Sequence, residues 1–247
     1  ATEGGNVAGP TAYTTTDKAL SPDNTLGVHM RITRKSLQQS GAALEEAIRR
    51  DMNGAMAAEL DRAIFLGAGS GGEPLGIVAG AATYGITTTD LSAEPTYANF
   101  LAEIVAFMTA NVITNPGEIR ALMRPELFGY LEGKLNTVTQ TTEYYRLALL
   151  LTGRSPTGFS PSNLHMTSNA IAAPTGTPAE TSMVLTTSTG GIAPAFVGMW
   201  GAVELIRDPY ADAQSGGLRL TALTTADVTV ARPAQTRILT GIQLAAA

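Results

Sequence analysis

Phe65-Leu66-Gly67-Ala68-Gly69-Ser70-Gly71-Gly72-Glu73-Pro74-Leu75-Gly76-Ile77-Val78 contains a literal G-x-G-x-x-G at Gly67, Gly69 and Gly72. A dinucleotide fingerprint needs a strand before the glycines and a helix N-terminus after them, because the pyrophosphate rests on that helix's free N–H groups. Here a long helical pattern comes first, and Glu73-Pro74-Leu75-Gly76 cannot open a long helix. The Lys-Ser/Thr of a phosphate-binding Walker loop is missing too. Ser70 is not a nucleophile elbow, since Ala68 occupies the first glycine position of G-x-S-x-G. The stretch therefore reads as a helix stop and tight turn made by Gly67, Gly69, Gly71, Gly72, Pro74 and Gly76. Gly67 is expected to take the left-handed position after the last helical turn.

The helix before this turn carries Leu44, Ile48, Met52, Met56, Leu60 and Ile64 at a spacing of four, one apolar stripe of a helix. Ser40 is a candidate cap, and Ser36 with Gln39 offers an earlier capping box. Glu45–Arg49 and Glu46–Arg50 are i,i+4 pairs in the favoured order, worth about 0.2–0.5 kcal/mol each. Residues 41–65 would span about 37 Å, the length of a strut.

Upstream, residues 1–10 read as a flexible arm. Two β ladders follow, at 13–16 and 26–33; in the second, Leu26, Val28, Met30 and Ile32 alternate with polar neighbours. Turn chemistry lies between them in Asp17-Lys-Ala-Leu-Ser-Pro-Asp-Asn24. A two-stranded ribbon with so few apolar residues is marginal alone and needs something to lie on.

Downstream, a helix is expected at about 96–111, capped by Thr96, with Phe100, Leu101, Ile104, Val105 and Met108 on its apolar side. Residues 118–123 read as a buried strand. A helix opening at Pro125 carries Leu127, Leu131 and Leu135. Residues 152–163 are loop-rich, and short strands are expected at 183–185, 195–200, 202–206, 217–222 and 226–231. Helices and strands are segregated, so the fold class is α+β.

Composition narrows the functions. The 247 residues contain no cysteine and two histidines, which excludes a disulfide scaffold, cysteine metal sites and a multi-histidine metal site within one chain. A cysteine-free chain is what folding in a reducing cytosol leads one to expect. Lys and Arg number 16 against 21 Asp and Glu, a net charge of −5, with no basic run to grip a duplex. No apolar run approaches a membrane span. The N-terminus lacks the order of a secretory signal, and the missing initiator Met leads us to expect upstream cleavage or truncation. Charged residues are only 15%, which points to a surface largely covered by neighbours. His29 and His165 read as ordinary hydrogen-bonding residues. Asp208, Asp212 and Asp227 lack the spaced loop of a calcium site and read as turn-forming and ribbon-end residues. Trp200, the single tryptophan, flanked by Gly198 and Gly201, is expected to pack at a junction between domains. No catalytic, cofactor or metal site is assigned.

The order of these features resembles that of HK97-type phage major capsid proteins over nearly the whole chain. Residues 11–33 resemble the extended E-loop, and the helix at about 37–65 resembles the spine helix. Phe65 to Val78 resembles the family's Gly-rich turn ending in Pro-Leu-Gly-Ile. Residues 96–135 resemble the axial domain, and Gly198-Met-Trp-Gly-Ala-Val-Glu-Leu with Asp208-Pro209, Gly217 and Asp227 resembles the peripheral ribbon. The implied division is a remnant arm at 1–10, an E-loop hairpin at 11–33, a peripheral domain at 34–95 and 199–232, and an axial domain at 96–198 and 233–247.

The resemblance implies a structural subunit, not an enzyme, that self-assembles through pentamers and hexamers into the icosahedral head of a tailed bacteriophage or prophage around double-stranded DNA. It implies assembly in the bacterial cytoplasm, no cofactor, no membrane and only weak DNA contact. Portal, maturation protease and decoration proteins are its implied partners. Shells of this family lay E-loops across a neighbour's spine region, which makes Lys18, Arg31, Arg34, Glu45, Glu46, Arg49 and Arg50 candidate contacts between subunits. Some members join an E-loop lysine to an asparagine of the peripheral domain; Lys18 occupies the lysine's place, but residues 208–217 contain Gln214 and no Asn, so no cross-link is expected. Alternatives are an encapsulin-type compartment of the same fold, a Gly-loop nucleotide-binding enzyme and a Thr-rich adhesin.

Overall fold

The computed structural model describes residues 17–135, 141–152 and 163–244. The arm at 1–10, the first ladder at 13–16 and nearly all of the loop at 152–163 lie outside them. The described elements run β1 (Thr25–Ile32), α1 (Arg34–Leu66), α2 (Ala81–Tyr84), β2 (Thr87–Ala93), α3 (Tyr97–Thr109), β3 (Ile119–Met123), α4 (Pro125–Gly133) and α5 (Glu143–Thr152). They continue with β4 (Leu164–Met166), β5 (Ala179–Thr187), β6 (Ala195–Asp208), β7 (Leu218–Val230) and β8 (Thr236–Leu244).

Two sheets organise the molecule, one of three strands in the order β1-β7-β6 and one of five in the order β2-β8-β5-β3-β4. The ribbon that was expected to need support finds it in β7: β1 pairs antiparallel with β7 from Thr25–Thr225 to Ile32–Leu218. The paired stretches expected at 195–206 and 217–231 are each one long strand, and in β6 Gly201, at φ +85°, lies at an irregularity that does not break it. Alternating β7 residues Leu218, Leu220 and Ala222 turn inward and meet Leu26, Ile32, Met52 and Met56. Met30 departs from the expected alternation and is exposed.

α1 is longer than expected. Thr33 caps it, its Oγ1 accepting from Ser36 N at 3.3 Å, so the helix starts before both candidate serine caps. Its 33 residues span about 50 Å. One side lies on the three-stranded sheet, and the other, including Asn53, Gly54, Ala57 and Ala58, is exposed.

The five-stranded sheet is covered by α3, α4 and α5 around Phe100, Phe107, Leu127, Leu131, Leu147 and Leu151, all buried. α3 begins at Thr96 as expected, with Thr96 N donating to Asn99 Oδ1 at 3.1 Å. Its buried side, however, is Phe100, Glu103, Ile104 and Phe107, while Val105 and Met108 are exposed. Glu103 is carried into the interior by Arg237, whose Nε donates to its carboxylate at 2.6 Å. α4 ends at Gly133, which leaves Leu135 outside the core and exposed. α5 was not anticipated; its Glu143 carboxylate accepts Tyr97 N at 2.7 Å and so ties it to the N-terminus of α3.

β2 and β8 were not anticipated as strands either. They pair in parallel, which puts residues 87–93, read from the sequence as peripheral, into the five-stranded sheet. Residues 195–198, read as axial, pair with β7 in the three-stranded sheet.

Gly54 sits inside α1, and a Cβ there would meet nothing within 4 Å. Gly54→Ala is therefore expected to stabilise the unassembled subunit by roughly 0.5–1 kcal/mol, read as a raised denaturation midpoint. An unchanged or lowered midpoint would contradict this account of the helix.

Candidate functional site: the glycine corner and the charged helix face

The last carbonyls of a helix have no intrahelical donors, and a sequence must supply them from elsewhere. Here the chain folds back on α1 and supplies them itself. Ile77 N donates to Ile64 O at 2.9 Å, and Val78 N and Ala79 N donate to Phe65 O at 2.8 and 3.3 Å. The return is made by a small antiparallel bridge between Ala68 and Leu75, with Gly69 N donating to Pro74 O at 3.2 Å.

Two kinds of glycine make this corner possible. Gly69, Gly71 and Gly72 have φ of +68°, +70° and +90°, so they reverse the chain. Gly67 and Gly76 are needed for space: a Cβ on Gly76 would lie 2.5 Å from the Phe65 carbonyl, and one on Gly67 would run into the Pro74 and Ala63 carbonyls. Gly67 itself has φ −57° and ψ 140°, not the left-handed conformation expected, because a returning strand, rather than a left-handed residue, caps the helix. Pro74 is buried at the turn.

An ion cluster closes the corner from outside. Arg62 Nε donates to both Glu59 oxygens at 2.8 and 3.0 Å, and its Nη2 donates to Glu73 Oε1 at 2.5 Å. The other Glu73 oxygen accepts Ala68 N at 3.2 Å. That backbone N–H and the Arg62 guanidinium hold the Glu73 carboxyl below the usual carboxylate range, and Glu59 raises the Arg62 pKa above its ordinary value. Glu59 to Arg62 is a readable i,i+3 spacing, but Glu73 lies eleven residues on, beyond any helical periodicity. Sequence reasoning missed this cluster.

Much of the corner's backbone is already engaged. The N–H groups of Gly67, Ala68, Gly69, Glu73, Gly76, Ile77, Val78 and Ala79 all donate within the corner. The helix that follows, α2, has four residues. His29 and His165 are exposed on strands of different sheets. Among the described residues no three of His, Asp and Glu come together as a metal site.

The charged candidates separate into two groups. Glu45 accepts from Arg49 Nη2 at 2.6 Å and also pairs with Arg207 Nε of β6 at 3.4 Å. The Arg49 hydrogen bond, with Arg207 beside it, lowers the Glu45 pKa. Arg31 pairs with Asp212 at 3.3 Å and donates to Ser215 Oγ at 2.6 Å. Glu45, Arg49 and Arg31 are thus engaged within the subunit. Lys18, Arg34, Glu46 and Arg50 are exposed, and the expected Glu46–Arg50 pair does not form.

Asp208 sits in a turn at the end of β6 as expected, whereas Asp227 lies within β7 and holds the 21–24 turn from there. Asp208 Oδ1 accepts Tyr210 N and Ala211 N, and Asp227 accepts Ser21 N at 2.9 Å and Asn24 Nδ2 at 3.3 Å. Trp200 does not pack in a core as expected. It stands on β6, an edge strand among the described residues, 39% exposed, with Phe196, Val197, Met199 and Ile206 also exposed along that strand.

A family model described as the phage capsid family matches residues 1–241. No curated protein sequence matches the chain. Among solved structures, one from Mycobacterium phage Che8 is 17% identical, with a TM-score of 0.57 over 95% of this chain and 82% of that one. One from Gordonia phage Cozz is 15% identical, with a TM-score of 0.58 over 98% and 80%. The holo-SrpI encapsulin complex of Synechococcus elongatus PCC 7942 is 9% identical, with a TM-score of 0.59 over 90% and 74%. At these identities the likeness is one of fold, and the fold is the HK97-type capsid fold.

Two substitutions test the division of labour among the glycines. Gly76→Ala is expected to destabilise the subunit by about 1–3 kcal/mol or more, since backbone must move to admit the methyl. Gly71→Ala, with open space around it, should lose only about 1–2 kcal/mol to its left-handed conformation. Equal midpoints in denaturant would refute the distinction. Glu73→Gln should lower stability near pH 7 by at most about 1 kcal/mol, because the group is partly solvated. A depressed folded pKa gives stability that is present above the ordinary carboxylate range and lost as pH falls through the folded value. The gap between the wild type and Glu73→Gln should therefore narrow as urea titrations move from pH 7 towards pH 3.

Proposed function

The chain belongs to the phage capsid family, and we propose from that premise how this shell-forming structural subunit works. The observation that carries the proposal is the family match over residues 1–241. Many copies tile a closed icosahedral head of a tailed phage or prophage through pentamers and hexamers, with double-stranded DNA inside. Assembly takes place in the bacterial cytoplasm, with portal, maturation protease and decoration proteins as partners.

Its work is mechanical, with no reaction to catalyse. α1 and the three-stranded sheet form the peripheral part, and the five-stranded sheet with α3, α4 and α5 forms the axial part. Lys18, Arg34, Glu46 and Arg50 have side chains exposed for contacts between subunits. Arg31, Glu45 and Arg49 reach a neighbour only from within the ion pairs they already make. The net charge of −5 keeps contact with packaged DNA weak.

An encapsulin-type compartment is the second reading, supported by a fold likeness to the Synechococcus protein as good as that to the phage structures. The contents of the shell separate the two: nucleic acid in one case, protein in the other.

Negative-stain microscopy of the expressed full-length protein is the direct test. Closed shells, pentamers or hexamers are expected, and a strictly monomeric protein whose Gly-rich stretch is protected from proteolysis by a nucleotide would overturn the proposal. Shell subunits boiled in detergent are expected to migrate as monomers, because Lys18 lacks an asparagine partner between 208 and 217. A ladder of covalent oligomers would show otherwise.

A further inference from the structure

Charge is unevenly spread over this chain. At the outer end of the three-stranded sheet β1 runs into α1 and β6 turns into β7. There, residues 31–35 and 207–219 carry Arg31, Arg34, Lys35, Arg207 and Arg219 against Asp208 and Asp212. The two stretches form one tip: Ile32 pairs with Leu218, and Arg31 Nη2 donates to Ser215 Oγ at 2.6 Å. The tip is +3, so the remainder of a chain of net charge −5 is −8.

This positive charge is held against local preference. Arg31 and Arg219 stand directly opposite each other across β1 and β7, and like charges so placed destabilise a sheet. One carboxylate serves both. Asp212 lies 3.3 Å from Arg31 Nε and 3.4 Å from Arg219 Nη2, longer than a close charge-assisted bond. Arg34 and Lys35 occupy the first turn of α1, which has no acidic residue, and the helix dipole disfavours cations there. Both are exposed, and among the described residues neither makes an ion pair. Arg207 shares Glu45 with Arg49. Local rules broken repeatedly at one spot mark a functional surface.

Resting on the shell-forming reading above, we propose that this tip is a docking surface for carboxylates of a second copy of the chain. The complementary charge is present in every tile, because the remainder of each copy is acidic. Tip against tip would bring like charge to like, so the contact is heterologous, from the tip of one copy to the body of the next. Arginine suits the role, since its planar fork donates two parallel hydrogen bonds to one carboxylate. Nucleic acid is the poorer fit, because five cations interrupted by two carboxylates neutralise few phosphates.

The test compares the full chain with an Arg34→Gln/Lys35→Gln variant and an Arg34→Glu/Lys35→Glu variant. Sedimentation reads the subunit concentration at which half the protein is assembled. For the wild type this concentration is expected to rise about tenfold or more between about 50 mM and about 500 mM NaCl, as screening weakens the contact. At low salt the Gln variant should need more protein than the wild type, and the Glu variant more again. The Glu variant places acids in the first turn of α1, so its thermal midpoint as a free subunit should match or exceed the wild type. Weaker assembly from a subunit no less stable is an outcome that a merely structural role for these residues would not give. Equal half-assembly concentrations for all three proteins, or a wild type indifferent to salt, would overturn the docking surface. So would loss of labelled duplex DNA binding by the Glu variant with assembly unchanged, which would give the tip to nucleic acid. Should the Glu variant fail to fold, the Gln variant and the salt series of the wild type decide. A wild type that forms no particles at any salt would overturn the shell reading instead. The tip is then judged on the free subunit: self-association lost at high salt supports it, and a strict monomer at low salt overturns it.

Discussion

The described architecture depends on how α1 ends. A 33-residue helix arrives with carbonyls that lack donors, and the chain satisfies them by folding back so closely that Gly67 and Gly76 have no room for a Cβ. This backbone-on-backbone contact fixes the direction in which the chain leaves the helix. It thereby sets where α2 and β2 begin and how the five-stranded sheet is approached. The ion cluster of Arg62, Glu59 and Glu73 lies outside this contact and braces it. Exposed pairs of this kind contribute little each, so steric fit does most of the holding.

α1 and the three-stranded sheet form a thin layer. The apolar stripe of the helix meets a single sheet face, and much of its other side is open to solvent. The five-stranded sheet belongs to a thicker part, with α3, α4 and α5 around a core of fully buried aromatic and aliphatic residues. A protein with one thick and one thin part distributes its stability unevenly, and the thin part is the first to open. Mass action then makes contact with further copies count most there, since whatever binds the folded form stabilises it.

Much of this was legible in the chain because local periodicity and local packing agree. The i+4 stripe of α1 is buried at Met52 and Met56, Thr96 starts α3, and Pro125 opens α4. The failures have common causes. Thr33 rather than Ser40 caps α1 because the strand before it ends at Ile32, and pairing of that strand with β7 is non-local. β8 and β2 are invisible as a pair because parallel partners lie about 150 residues apart and neither alternates cleanly. Val105 and Met108 look like core in a helical pattern, but the interior position goes to Glu103, whose charge is answered by Arg237 from β8. Within the corner, the glycines were legible as a turn, while the assignment of Gly67 to the left-handed region was not borne out. Which glycines serve conformation and which serve space depends on a contact with Phe65 that no local pattern encodes.

The solitary indole of Trp200 gives the protein a built-in optical probe. At 39% exposure on β6 it emits from a partly wet environment, with no second tryptophan to mask it. Any surface that comes to cover β6 dries that ring and moves its emission to shorter wavelength. Fluorescence thus follows the fate of this one strand in real time and without a label, from the free subunit through whatever larger object it joins.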